Sequence, residues 1–110
     1  MTRRKIEGPN HGNNHEENSN ILVSVVVPIM NNARTIEATM RSILSQTHTK
    51  LDVLVWDDSS DDNSVAVIES FLGDSRVRLR RSDTRLGIPE SWTAACQLAR
   101  GDFVKLVCAD

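Results

Sequence analysis

Residues Ile21–Pro28 read ILVSVVVP. A strand with one wet face alternates apolar and polar residues, whereas a nearly unbroken apolar run is buried on both faces, as strands inside a parallel sheet are. This stretch predicts such a strand, stopped by Pro28. The chain before it, Met1–Asn20, is rich in asparagine and charge and nearly devoid of large apolar groups, so residues 1–20 are expected to form a disordered arm. His11 and His15 have a spacing that could grip a metal from a helix, but Gly12 and the neighbouring asparagines oppose a helix there.

After the strand, Ile36, Met40, Ile43 and Leu44 mark one face of a helix. LDVLVW, residues 51–56, predicts a second strand, and Val65, Ile68 and Leu72 predict a helical stripe ending near Gly73. RVRLRR, residues 76–81, alternates as an edge or half-exposed strand does. Pro89 and Glu90 open a third helix, with Trp92, Ala95, Cys96 and Ala99 on its buried side and Gly101 at its close. DFVKLVC, residues 102–108, supplies the last strand, in which Lys105 is expected to lay its stem on apolar surface and its ammonium in water. The order β-α-β-α-β-α-β, joined by right-handed crossovers, predicts an α/β fold with an open, mostly parallel sheet and helices on both faces. Ligands of such sheets bind beyond the carboxyl ends of the strands, where strand order reverses. The loops PIMNN (28–32), DDSSDDNS (57–64), SDTRLG (82–87) and AD (109–110) are all expected on that rim.

The chain has 110 residues, enough for one domain but short for α/β enzymes that run past ~150 residues. Thirteen basic and fifteen acidic residues leave a formal charge of −2, which argues against binding nucleic acid or anionic lipid through overall charge. The longest apolar run is far below the ~20 residues that span a bilayer, and no apolar signal core follows the early RRK, so a soluble, cytoplasmic protein is expected. Cys96 and Cys108 lack metal-ligand spacing and are expected to be buried, reduced packing residues.

The acidic loop holds four carboxylates within six residues, Asp57, Asp58, Asp61 and Asp62. Asp61, Asp62, Asn63 and Ser64 precede a helix and suit capping of its free amides. Asp57 and Asp58 are adjacent and repel unless solvent, a cation or ligand donors compensate them, which makes them candidates for function. From Asp58, DSSDDNSVAVIE resembles a calcium loop in its oxygen spacing, but Asn63 stands at the turn glycine and a strand, not a helix, precedes it. A phosphoryl-receiver fold also gathers acids at such a rim, but the first strand here ends in Pro28 and not in an acidic pair. Neither G-x-x-x-x-G-K nor G-x-G-x-x-G follows that strand, so a diphosphate would need a divalent metal held by carboxylates.

VSVVVPIMNNARTIEATMRSILSQTHTKLDVLVWDDSSDDNS followed by RLGIPESWTAACQLARGDFVKLVCAD resembles the nucleotide-binding half of the family 2 glycosyltransferases, which have the GT-A fold. The resemblance covers Val23 to Asp110 and implies inverting transfer of a sugar from a nucleotide-diphosphate donor, usually a UDP-sugar, to an unknown acceptor, with Mg or Mn on the diphosphate. It implies that Pro28, Met30 and Asn31 lie against the base, with Met30 at a usually aromatic position. Asp58 would accept a hydrogen bond from the uracil ring N–H, and Asp57 would support the loop. Asp83 and Arg85 would approach the base, and Asp110 would be the first acid of the metal motif, near the ribose and metal.

Residues 21–110 are accordingly expected to be the donor-binding portion of such a domain, truncated at the metal motif. No residue is assigned as catalytic base, and the fragment alone is expected to be inactive. The competing expectation is a non-enzymatic α/β interaction module or a degenerate fragment, with an exposed last strand that favours association.

Overall fold

The structure, a computed structural model, describes residues 5–6 and 20–109. Its elements are β1 (Lys5–Ile6), β2 (Val23–Ile29), α1 (Ile36–Leu44), β3 (Leu51–Asp57), α2 (Ser64–Glu69), β4 (Val77–Arg81), α3 (Ile88–Gln97) and β5 (Phe103–Leu106). The strands form one sheet in the order β1-β5-β2-β3-β4, and every pairing is parallel. The chain steps outward from β2 through β3 to β4, then returns to the other flank of β2 with β5. Strand order therefore reverses between β2 and β5, as the sequence pattern requires for a ligand crevice at that point.

β2 and β3 are buried on both faces, and their alternate side chains serve different cores. Val25, Val27 and Ile29 from β2 join Val53 and Val55 from β3 under α1 and α2, against Ile36, Met40, Ile43 and Ile68. Val26, Leu54 and Val104 face the other way, against Ala95, Cys96 and Ala99 of α3 and the segment after it. Each fully buried valine or leucine contributes about 1.5–3 kcal/mol of burial free energy, so a one-residue slip of β2 would exchange the two cores at great cost.

Several local expectations need correction. Pro28 does not stop β2; it pairs with Trp56 inside the strand. Val26 accepts from Val107 at 3.0 Å, so the groups of Pro28 also point towards β5. The paired part of β5 ends opposite Val26, and the missing proline N–H costs no ladder bond. The α2 face uses Ser64, Ile68 and the following Phe71, while Leu72 lies beyond the helix end at Glu69 and is 42% exposed. Gly101 does not close α3, which ends at Gln97. Gly101 instead lets the chain pass against β2, where a Cβ would meet the Ser24 nitrogen at 2.6 Å and the Leu22 oxygen at 2.7 Å. Cys96 is buried but Cys108 is exposed. β5 is not a bare edge, because Phe103 and Val104 pair with Lys5 and Ile6 of β1. Residues 1–4 and 7–19 of the expected arm, with His11 and His15, lie outside the described residues.

A buried charge network sits towards the amino ends of the strands, away from the predicted rim. Ser24 and Asp52 face each other across β2 and β3, and the Ser24 hydroxyl donates to Asp52 at 2.7 Å. Arg78 of β4 grips Asp52 through Nε at 2.9 Å and Nη2 at 3.1 Å, and also donates to the Leu98 carbonyl at 2.9 Å. The Arg100 amide completes the set on Asp52 at 3.0 Å. Burial pushes the Asp52 carboxyl up, but the bonds from Arg78, Arg100 and Ser24 together outweigh it and hold it below 3.8. With the folded value depressed, the contribution of Asp52 to stability is complete above 3.8 and disappears as pH falls through the lower folded value. Asp52→Asn is expected to cost about 2–3 kcal/mol near neutral pH. Urea unfolding at successive pH values should show the gap between wild type and variant closing below 3.8; a pH-independent gap would contradict this account.

Candidate functional site

The carboxyl end of the sheet is assembled by the same pairing that builds the core. Ile29 lies opposite Asp57, and the Asp58 amide donates to the Ile29 carbonyl at 2.9 Å. The loop beginning at Met30 and the acidic loop therefore leave the sheet side by side. Strand alternation then turns Asp57 and Asp58 in opposite directions, which relieves most of the repulsion expected between neighbouring carboxylates.

Asp57 is fully buried and accepts bonds from its own loop. The Ser60 amide donates to Oδ2 at 3.2 Å, and the Ser60 hydroxyl donates to Oδ1. Arg81, at the end of β4, contacts Oδ2 through Nε at 3.1 Å and donates from Nη2 to the Ser60 carbonyl at 3.1 Å. The carboxylate thus closes a short turn and ties it to the edge strand. Ser59 within this turn has φ 61°, a strained conformation for a residue with a Cβ and one that the surrounding bonds must hold.

Asp58 is 6% exposed and reaches the segment before α3. Its Oδ1 accepts from the Leu86 amide at 2.8 Å and its Oδ2 from the Gly87 amide at 3.1 Å. Gly87 has φ 87°, a conformation that favours glycine, and the chain turns there directly after the two amides have met the carboxylate. The protein itself compensates both acids, so neither needs a cation to be stable. Each Asp58 oxygen has one N–H donor and retains acceptor capacity for a further partner.

The loops after β2 and β3 are stitched together. Asn31, at φ 57°, donates its amide to the Ser60 hydroxyl at 2.9 Å and accepts at Oδ1 from the Asp61 and Asp62 amides at 2.8 and 3.3 Å. The Asn32 amide donates to Ser64 at 2.8 Å, and the Ala33 amide to Asp62 at 3.2 Å. The bond from the Ser64 hydroxyl, with lesser ones from the Ser64 and Ala33 amides, outweighs the opposing effect of burial and lowers the Asp62 pKa. Asp62 caps the start of α2 by accepting from the Ser64 amide at 2.9 Å. Asn63, at the cap position itself, makes no side-chain cap bond. Asp61 does not cap either; it pairs with Arg85 at 2.6 Å, joining the acidic loop to the loop after β4.

Of the residues singled out from sequence, Asn31, Asp57, Asp58 and Arg85 are joined through this network. Pro28 is half-buried below it, and Met30 is 43% exposed beside it. Asp83 is exposed and makes no hydrogen bond or ion pair with any described residue. Asp110 lies outside the described residues, but its neighbour Ala109 is buried and its carbonyl accepts from the Thr35 hydroxyl at the start of α1. Among the described residues, no group of three or more His, Cys, Asp or Glu side chains could hold a metal ion, so no ligand set is assigned. Ser60, Arg81 and the Leu86 and Gly87 amides were not identified from sequence. Ser60 carried one usable signal, its position three residues after a strand-terminal aspartate, which suits an Asx-type turn.

The sequence model described as "Glycosyl transferase family 2" matches residues 24–110, and the chain belongs to that family. It is 34% identical over 89 residues to the Escherichia coli UDP-Glc:alpha-D-GlcNAc-diphosphoundecaprenol beta-1,3-glucosyltransferase WfgD, covering 81% of this chain and 35% of that protein. Among solved structures it superposes on S. aureus TarS 1-349 in complex with UDP-GlcNAc with a TM-score of 0.76 at 28% identity, over 82% of this chain and 27% of that one. It also superposes on the mannosyltransferase PcManGT from Pyrobaculum calidifontis, in complex with GDP-Man and Mn2+, with a TM-score of 0.74 at 28% identity, over 80% of this chain and 27% of that one. The family is one of sugar-transferring enzymes, and these likenesses make the parallel sheet a GT-A, Rossmann-like one. The chain spans 28–35% of the length of the first curated relatives it matches. No helix among the described residues is long and apolar enough to cross a membrane.

Asp57→Ala is expected to destabilise the chain by about 2–3 kcal/mol, because the buried Ser60 hydroxyl and amide lose their acceptor. Asp83→Ala should change stability by less than about 0.5 kcal/mol, as an exposed, unbonded residue does. Denaturant unfolding of both variants checks the contrast, and equal losses would contradict the assigned role of Asp57.

Proposed function

We propose that the rim formed by the loops after β2, β3, β4 and β5 binds the nucleotide end of a sugar donor, with a UDP-sugar as the donor class. The chain would then be the donor-binding portion of an enzyme that transfers the sugar, with inversion, to an acceptor recognised elsewhere. The observation that carries this reading is Asp58, held at the end of β3 by the Leu86 and Gly87 amides with acceptor capacity to spare. A carboxylate fixed in this way accepts the ring N–H of uracil and offers no donor to a base edge that presents only acceptors. Pro28, Met30 and Asn31 on one side and Arg85, with Asp83 beyond it, on the other would flank the base.

UDP-GlcNAc in the TarS complex and UDP-Glc in the name of WfgD support the choice of donor class. The Mn2+ in the PcManGT complex supports a divalent cation, Mg or Mn, accompanying the diphosphate, with Asp110 as the acid proposed beside it. Such a cation would neutralise phosphate charge as the leaving group departs. The chain's own residues would bind and orient the nucleotide; the Asp58 carboxylate would hold the base edge and the Asp57 turn would keep that carboxylate in place. An opposing reading, a non-catalytic module in which Asp58 only pins the segment before α3, is favoured by the fact that both of its oxygens already have partners.

Calorimetric titration of UDP, GDP and ADP, each with and without manganese, separates the two. UDP is expected to bind best, and Asp58→Asn to weaken it by about tenfold or more, since one charge-assisted bond is worth about 1.5–3 kcal/mol. A thermal melt of the same variant shows whether the loop before α3 survives. Absence of any nucleotide response would reject the donor-binding reading in favour of the non-catalytic one.

A further inference from the structure

The asparagine after β2 has an occupation that a base contact does not require. Asn31 is exposed, yet its carboxamide oxygen is taken by the Asp61 and Asp62 amides and its own amide by the Ser60 hydroxyl. That hydroxyl in turn donates to Asp57, which is held by Arg81. A continuous chain of bonds therefore runs from Asn31 through Ser60 and Asp57 to the edge strand, and Asp58 is the residue covalently next to its centre. We propose that Asn31 is a positioning residue of the nucleotide site: its Oδ1 clips the acidic loop to the loop after β2, and through Ser60 and Asp57 it sets the direction of the Asp58 carboxylate. The proposal deepens the nucleotide-binding reading and depends on it.

The backbone supports this assignment. At φ 57° a residue with a Cβ is strained, and asparagine, aspartate and glycine are the residues that tolerate such a turn. A leucine or alanine there would carry the strain and lose the clip. Asn31 instead joins the required conformation to the acceptor that the two amides need. Without that acceptor the Asp61 and Asp62 amides turn to water, and the loop is held on this side by the main-chain amide of residue 31 on Ser60 and by the bonds of Asn32 and Ala33 to Ser64 and Asp62. Arg85 follows, because its partner Asp61 sits in the released segment.

The assignment separates the two ends of one side chain, and substitutions separate them experimentally. Asn31→Gly keeps the left-handed turn without strain and removes the clip. Asn31→Asp keeps an acceptor at the Oδ1 position, removes the amide donors that a directly bound ligand would use, and adds a negative charge beside Asp61 and Asp62, which high ionic strength screens. UDP affinity by calorimetry and amide hydrogen exchange at Asp61 and Asp62 by NMR are measured on both variants and on the wild-type chain. The glycine variant is expected to bind UDP about tenfold more weakly, the order set by two lost hydrogen bonds, with faster exchange at both amides. The aspartate variant is expected to recover most of that affinity and the slow exchange. An aspartate variant that keeps slow exchange at both amides yet binds UDP as weakly as the glycine variant at high ionic strength would overturn the proposal in favour of direct contact through Nδ2. Wild-type affinity in the glycine variant would overturn it as well. A wild-type chain that ignores UDP while Asn31 still protects both amides would reject the nucleotide reading and with it the positioning role, leaving the clip as a feature of the loop alone.

Discussion

Parallel pairing of β2 on both of its edges is the constraint from which the rest of the structure follows. Its backbone groups are used by β3 on one side and β5 on the other, and its faces are used by α1 and α2 on one side and α3 on the other. A strand so enclosed has no freedom of register, because any shift exchanges side chains between two differently shaped cores. The ends of β2, β3 and β5 are then held in step. Asp58 leaves the sheet against Ile29, and the chain after β5 runs past Val26 to the start of α1.

The sheet carries buried charge at each of its ends, and the two sites have different consequences. Towards the amino ends, Asp52 takes four donors from Arg78, Ser24 and Arg100 and joins strands and the α3 exit into one unit. At the carboxyl ends, Asp57 plays a comparable part for a single turn, held by Ser60 and Arg81. Asp58 combines burial and a fixed direction with a single donor on each oxygen. Preorganisation of this kind is what a binding group needs, because no reorganisation is then required when a ligand arrives.

The fold was legible from apolar spacing, residue by residue. Ile36, Met40 and Ile43 are buried as their spacing predicts, and Val25 to Val27 lie inside the sheet as an unbroken run requires. Errors arose where a local rule met a tertiary exception. Pro28 remains in β2 because β5 has ended on the side where its N–H is missing. Leu72 falls outside the core because α2 ends at Glu69, so that Phe71 takes the packed position. Gly101 is required by closeness to Ser24 and Leu22, a contact between segments far apart in sequence that no helix-ending rule contains. The neighbours of Asp61 suggest a helix cap, but its partner Arg85 comes from another loop.

By itself, the sequence determined the succession of strands and helices from β2 to β5, the parallel class of the sheet, and the group of loops that share its carboxyl rim; it did not show β1, which lies in the stretch expected to be disordered. These depend on the period of apolar residues and on the handedness of crossovers, both of which act over short stretches of chain. Tertiary structure alone decided the division of labour between Asp57 and Asp58, the pairing of Asn31 with amides 30 and 31 positions away, and the recruitment of Arg81 and the Leu86 and Gly87 amides. The physical reason is that a hydrogen bond is specified by position and direction within a fraction of an ångström. Residue type and spacing set no such geometry between segments until the sheet has brought them together.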